Sequence, residues 1–296
     1  MAAFVGALLP ASAAAQAKPE DEIVVTAPIE GSRIESLQGA TVLGRDDIVE
    51  SLNGGLGDTL DAQPGVTTTF FGAGASRPII RGLGEDRVRV LENGIGAIDA
   101  SAASPDHAVS ADGLDAHRIE VLRGAAALAY GGNAIGGVVN VIDESIPTRA
   151  ANALSFEGFA SYSSVDAGRR GFGAVAGGGG PLAFRVGAAA RETDDYDTPL
   201  GQAPNSWTSF RAYSAGGALV GEPGFAGVAV KRTENEYGLP PGDPSEPGGH
   251  IELEQTRVET RGDARIDVGP FNGVDFGAQH SDYEHTEFEG DGAPGT

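Results

Sequence analysis

The chain has 296 residues, 42 of them acidic against 20 basic for a formal net charge of −22, with 46 glycines and no cysteine. Binding a phosphate backbone needs a basic face, so this charge argues against nucleic acid and makes cationic ligands the natural guests. The absence of cysteine excludes a disulfide framework and suits a protein that crosses an oxidising compartment, while the length leaves room for two domains.

At the N-terminus, Ala2 to Pro10 is a short apolar run, and Ala15-Gln16-Ala17 ahead of Lys18 has the small-residue pattern of a cleavage site. Residues 1–17 are therefore read as a signal peptide. Its basic leading region is missing, so the true start is expected upstream of Met1 or clipped, with the mature chain beginning near Lys18. Past this point no apolar run approaches the roughly 20 residues of a transmembrane helix, so membrane insertion would have to use strands. The next segment, Ile23, Val24, Val25, Thr26 and Ala27, is extended, β-branched, preceded by acids and closed by Pro28. Such a stretch is suited to adding itself as a strand to the sheet edge of another protein.

Asp46 and Asp47 cap an apolar-periodic stretch through Ile48, Leu52, Leu56 and Leu60 that ends at Pro64. It predicts one helix, or two short ones interrupted at Gly54-Gly55. Short β runs come after it at Val88 to Leu91, Ile119 to Leu122 and Val138 to Ile142, giving a small α+β domain. The glycines of Gly131 to Gly137 lack a Gly-Lys-Ser or Gly-Lys-Thr signature and the spacing of a dinucleotide loop, so they are read as tight backbone turns.

After about residue 150 the pattern changes to strict alternation. Even positions are apolar and odd positions polar or small, and one phase is expected throughout. Leu154, Phe156, Ala160 and Tyr162 oppose Ser155, Glu157 and Ser161; Leu182, Phe184 and Val186 oppose Arg185; Phe210 and Ala212 oppose Arg211. Val228 and Val230 precede a polar end, Gly262, Ala264, Ile266 and Val268 oppose Arg261, Asp263, Arg265 and Asp267, and Val274, Phe276 and Ala278 oppose Asp275 and Gln279. Side chains alternate across a strand, so one face tolerates lipid while the other carries charge. The connections alternate between tight turns (178–181, 222–224, 269–270) and longer loops (194–206, 234–250), as outer-membrane barrels do and Greek-key sandwiches do not. About seven strands are expected.

The Ile23 to Ala27 stretch resembles the TonB box of TonB-dependent outer-membrane receptors, and the hundred or so residues after it resemble their plug domain. Arg77-Pro78-Ile79-Ile80-Arg81-Gly82-Leu83 is similar to the family's Arg-Gly motif, and Arg87 to Gly94 to the strand and turn after it. Most specific is Arg118-Ile119-Glu120-Val121-Leu122-Arg123-Gly124, continued by Tyr130 to Ile142. The resemblance implies an α+β plug domain followed by an antiparallel transmembrane β-barrel in the outer membrane of a Gram-negative bacterium. The expected division is 1–17 signal peptide, 18–30 TonB box segment, 31–148 plug and 149–296 barrel. The function it implies is active uptake of a scarce solute without catalysis, driven by the periplasmic TonB energy-coupling protein pulling on the box. Only a few residues separate the cleavage site from the box, which favours transport without a signalling module.

For the substrate, Ser104-Pro105-Asp106-His107-Ala108 resembles the Ser-Pro-Asp-His motif of zinc-uptake receptors, and Glu236-Tyr237-Gly238-Leu239-Pro240 also resembles that branch. Carried over, Asp106 and His107 become metal ligands, half of a four-ligand zinc site. His285 and Glu287 share the lumen-facing parity and are weaker candidates. The loop after Pro240 departs from the His-rich pattern of that branch, offering Asp243 and Glu246 with His250 behind them. His117 reads as structural, and His280, Asp282 and Glu284 as a solvated outer rim. No resident cofactor is expected; the partners are TonB, outer-membrane lipid and a metal ion or metal chelate.

Receptors of this family close their barrels with about 22 strands, and open edges in lipid cost several kcal/mol per unpaired backbone group. The chain is therefore expected to be an N-terminal part of a longer receptor. An iron chelate such as a siderophore or haem is the alternative substrate, and a passive binding or adhesion barrel is the alternative of another class. A metal-dependent hydrolase using Asp106 and His107 lacks both an H-E-x-x-H pair and a nucleophile elbow.

Overall fold

The computed structural model describes residues 39–242, 247–266 and 272–290, the side chains of Ala125 and Ala126 excepted. The signal segment, Ile23 to Ala27, Asp243, Glu246, Asp267 and Val268 lie outside the described residues. The chain divides into two units. One runs through Asp143 and takes in Tyr237–Gly249; the other comprises Glu144–Glu236 and the residues from His250 onward.

The first unit holds β1 (Ala40–Leu43), α1 (Arg45–Ser51), α2 (Leu56–Leu60), β2 (Val66–Thr68), β3 (Pro78–Ile80), β4 (Val88–Glu92), β5 (Ile95–Gly96), β6 (Arg118–Leu122) and β7 (Gly137–Ile142). The expected helical stretch is two short helices. Gly54 sits at φ +63°, a left-handed conformation that ends the first before Gly55 opens the second. Each helix start is closed by a carboxylate in its first turn: Asp47 Oδ2 accepts from the Gly44 N–H and Asp58 Oδ2 from the Gly55 N–H, both at 3.2 Å. Ile48, Leu56 and Leu60 are buried as the periodicity required.

The main sheet of this unit has the order β1-β6-β7-β4-β5, with β4 and β7 parallel and the other pairs antiparallel. Every residue of β7 is buried, which is why its sequence is an apolar run rather than an alternation. Its one polar member, Asn140, accepts a 2.8 Å bond from the Gly94 N–H in the turn between β4 and β5. A buried amide therefore fixes that turn to the centre of the sheet.

After β7 the second unit is a meander. Seven long strands, β8 (Ser155–Tyr162), β9 (Arg169–Gly179), β10 (Leu182–Thr193), β13 (Thr208–Gly221), β14 (Gly224–Gly238), β15 (His250–Ala264) and β16 (Val274–Phe288), lie side by side in chain order. The small pair β11 (Asp197–Thr198) and β12 (Gly201–Gln202) decorates the long loop after β10. The seven strands agree with the sequence expectation, as do the tight turns after β9 and β13 and the longer loops after β10 and β14, while the expected turn at 269–270 lies outside the described residues.

The single phase does not. In β8, β10, β14, β15 and β16 the even positions face outward, but in β9 and β13 the odd ones do. Phe210 and Ala212 are each only 2% exposed, while Arg211 and Tyr213 lie on the outer face. The cause is turn length. Gly179 pairs with Leu182 across a two-residue turn, and β10 pairs with β13 as Leu182↔Leu219, so partners of opposite parity share a face. The two-residue turn between Gly221 and Gly224 then restores even-outward parity in β14.

With these facings, the outer side of the wall carries two bands. Phe156, Leu182, Phe184, Val186, Leu219, Val228, Val230, Val258, Val274 and Phe276 form an exposed apolar band on the tight-turn side. Glu192, Arg211, Arg232, Glu234, Glu236, Glu252 and Glu254 lie on the same face nearer the long loops. An outward apolar band below a charged rim is the surface of a membrane barrel wall. On the inner side, Ile146 packs with Ala218 and Ala229, and a Cβ at Gly216 would strike the Ser145 carbonyl oxygen. The start of the unit is thus seated on the strands through glycine and alanine positions.

Candidate functional site

The segment from Asp99 to Ala108 is a turn-rich excursion between β5 and β6, held by its own polar groups. Asp99 anchors both ends: Oδ1 accepts from the Ser101 N–H at 3.0 Å, and Oδ2 from the Ser110 N–H at 2.9 Å and the Ser110 hydroxyl at 3.1 Å. Within the excursion, the Ser104 hydroxyl donates to Asp106 Oδ1, and His107 Nδ1 lies 3.1 Å from the same oxygen. His107 is buried, and the Asp106 side chain keeps 23% of its surface exposed. Both side-chain partners use the same oxygen, which leaves Oδ2 without a side-chain partner among the described residues and available to a cation.

Burial pushes the Asp106 carboxyl upward, but hydrogen bonds from Ser104, the backbone and His107, together with the charge of His107, outweigh it. Its pKa lies below the ordinary carboxylate value, which keeps the carboxyl ionised. No third His, Asp or Glu ligand atom joins Asp106 and His107 among the described residues.

Tyr237 reaches this loop from the end of β14. Its hydroxyl accepts a 2.8 Å bond from the buried Ala108 N–H and donates a 3.0 Å bond to the Asp106 carbonyl. The ring itself is fully buried over Gly74, where any Cβ would collide with the tyrosine side chain. Pro240, three residues on, abuts Gly72 in the same way, and Gly72 has a φ of +156°. The Ser104–Ala108 loop and the segment that ends β14 are therefore bonded to each other. Their meeting could not be found from either motif alone, because it joins residues 129 apart.

The remaining motif residues hold the first unit together. Arg81 and Gly82 occupy a turn with φ of 52° and 79°, bridged by Ile80 and Leu83. Arg77 is buried; burial pulls its pKa down, and Asp99, Glu85 and Asp86 oppose that shift. Arg118 Nε lies 3.1 Å from Glu120 Oε1, whose side chain is 1% exposed. Arg123 donates at 2.7 Å to the Thr41 hydroxyl, tying β6 to β1, and burial together with the charge of Arg81 lowers its pKa. Gly124, at φ +86°, turns the chain directly afterwards. His285 and Glu287 lie on β16 opposite Leu253 and Ile251, with the His285 ring 5.7 Å from that of Tyr283.

The sequence reading met Glu236 and His250 separately and passed over Glu252, without joining the three, whose ligand atoms lie within 4.8 Å of one another. Their signal, a histidine and two acids at the facing ends of a strand pair, needs the register to be seen.

Residues 32–138 match the TonB-dependent Receptor Plug Domain. The chain is 31% identical over 144 residues to the vitamin B12 transporter BtuB of Vibrio cholerae serotype O1, covering 47% of this chain and 23% of that protein. It is 28% identical over 209 residues to BtuB of Vibrio vulnificus, covering 68% and 34% respectively. Thus it spans between about a quarter and a third of these relatives' length. In fold it is similar to the alcaligin outer-membrane receptor FauA of Bordetella pertussis, with a TM-score of 0.69, 17% identity, and coverage of 90% of this chain and 43% of that one. The copper transporter OprC gives a TM-score of 0.67 at 17% identity, covering 84% and 38%. The siderophore receptor PirA of Pseudomonas aeruginosa gives 0.61 at 21%, covering 84% and 41%.

Proposed function

We infer, from a chain that carries the plug domain of TonB-dependent receptors followed by a seven-stranded antiparallel wall, that this is the N-terminal part of an outer-membrane transporter for active solute uptake. Its place is the outer membrane of a Gram-negative bacterium. In this reading Ile23 to Ala27 pairs with the TonB protein, residues 31–148 form the plug, residues 149–296 open the barrel, and residues 1–17 are the export signal. Arg77, Arg81, Gly82, Arg118, Glu120, Arg123 and Gly124 hold the plug rather than touch the solute.

The solute proposed is a divalent metal ion, with zinc as first choice. The observation that carries this is the Asp106 carboxylate, held ionised and meeting the His107 ring through one oxygen, on a loop clamped by Tyr237. Imidazole nitrogen with carboxylate oxygen is a donor set that zinc accepts readily. The proteins it resembles are named for vitamin B12, alcaligin, siderophores and copper, so their names do not choose between an ion and a chelate. His285 and Glu287 remain weaker additional donors.

Calorimetric titration of zinc into the folded receptor, beside the Asp106→Ala/His107→Ala variant, tests the reading. Loss of one stoichiometric zinc in the variant is expected. Equal binding in both proteins, with tight binding of an iron chelate instead, would move the substrate to that class and leave the transport reading in place.

A further inference from the structure

On the outer face of the wall, beside the long loop, three side chains converge. Glu236 ends the outward row of β14, and His250 and Glu252 begin that of β15 after the loop. One ligand atom from each lies within 4.8 Å of the other two. An ion at their centre would sit no more than about 2.8 Å from each, against about 2.0–2.2 Å in a formed zinc site, a gap closed by small side-chain rotations.

The charges around this point are unevenly used. Arg232 donates to both Glu234 and Glu254, at 2.9 and 2.8 Å, and Arg211 donates to Glu192 at 2.8 Å. The nearby basic groups are thus engaged by other acids, while Glu236 has no basic partner among the described residues. Among the described residues the ion-pair partner of Glu252 is the His250 ring, with 3.7 Å between Nε2 and Oε1. The two carboxylates, within reach of one imidazole, line a cleft together with Ser209 and Arg211.

The imidazole is also held in place. His250 pairs with Phe288 across the strands, and their rings stack at 4.5 Å with planes 4° apart, while Trp207 closes from 6.2 Å. A ring fixed on one face and opposed by two carboxylates is a preorganised nitrogen donor. One nitrogen and two carboxylate oxygens, with an open side to water, make a donor set of the open zinc type rather than an all-oxygen calcium or magnesium cage.

We propose that Glu236, His250 and Glu252 form a zinc-type divalent cation site on the outer wall, where a bound ion would bridge β14 to β15 at the base of the long loop. The site is independent of the Asp106–His107 pair and of whatever solute the receptor carries. Zinc chloride is titrated calorimetrically into the full chain in detergent, and into Asp106→Asn/His107→Gln, Glu236→Gln/Glu252→Gln and His250→Gln variants. The expected result is one zinc equivalent that survives in the plug-loop variant and disappears in the double glutamine variant. His250→Gln should weaken that equivalent at least tenfold, and the intense tetrahedral d–d absorption of cobalt(II) at the site should fall in that variant. These substitutions lie on the exposed wall, and the strand signal in circular dichroism verifies folding. Zinc stoichiometry and affinity unchanged in both wall variants would overturn the proposal. So would binding at the wall shared equally by calcium and abolished by salt, which would mark a merely acidic surface.

Discussion

Replacing Tyr237 by phenylalanine removes one oxygen and leaves the ring over Gly74 in place. That oxygen serves two backbone groups of the Asp106 loop, the Ala108 N–H at 2.8 Å and the Asp106 carbonyl at 3.0 Å. Ala108 is 2% exposed, so its donor would be stranded, at a cost of about 1–3 kcal/mol. The carbonyl belongs to a partly exposed residue that water reaches, and losing its bond costs about 0.5–1 kcal/mol. Together these give about 2 kcal/mol, or roughly 30-fold in the equilibrium for opening the loop. Hydrogen exchange read by mass spectrometry over residues 100–110 should show that loss of protection, while β7, buried along its whole length, stays protected. Zinc binding at Asp106 and His107 should weaken in parallel. Unchanged exchange over 100–110 in Tyr237→Phe would mean that the hydroxyl does not hold the loop.

Three further outcomes are expected from the geometry. A bilayer-facing Tyr213 and an inward Ala212 predict that a fluorophore on Tyr213→Cys is quenched by brominated lipid and one on Ala212→Cys is not; the reverse would restore the single phase. Gly216→Ala drives a methyl into the Ser145 carbonyl and should cost about 1–3 kcal/mol, seen as a lower urea midpoint at unchanged slope. The depressed Asp106 pKa makes its stabilising contribution complete above the unfolded value of about 3.9 and lost as pH falls through the folded value. The melting-temperature gap between the unaltered chain and Asp106→Asn should therefore hold at neutral pH and close below about pH 4; a gap constant across that range would contradict it.

What the sequence made legible divides by range. The interruption at Gly54 and the strands at Val88, Ile119 and Val138 are local, and each agrees with its own propensity and periodicity. Alternation located the seven wall strands for the same reason. It could not give their facing, because Phe210 and Ala212 are apolar residues pointed inward while Tyr213 and Leu219 take the outer positions. Facing depends on pairing, and pairing on the two-residue turns at Gly180-Pro181 and Glu222-Pro223, whose residues were visible but whose parity consequence is not local. The Ser104–His107 loop was singled out by a local motif, whereas Tyr237 as its clamp and the grouping of Glu236, His250 and Glu252 are tertiary events. Each joins positions whose separation along the chain carries no periodic signal.

The seat of Ser145 and Ile146 has a mechanical meaning. A tether pulled from upstream transmits tension along the chain until it reaches a point fixed more firmly than its own bonds to neighbours. The carbonyl of Ser145 lies against Gly216, and Ile146 sits among Ala218 and Ala229, on two long strands loaded across several backbone bonds at once. Any force that reached Ser145 would meet this packed seat as its first stop. Smoothing those small-residue positions with larger side chains would move the mechanical stop into the strands themselves.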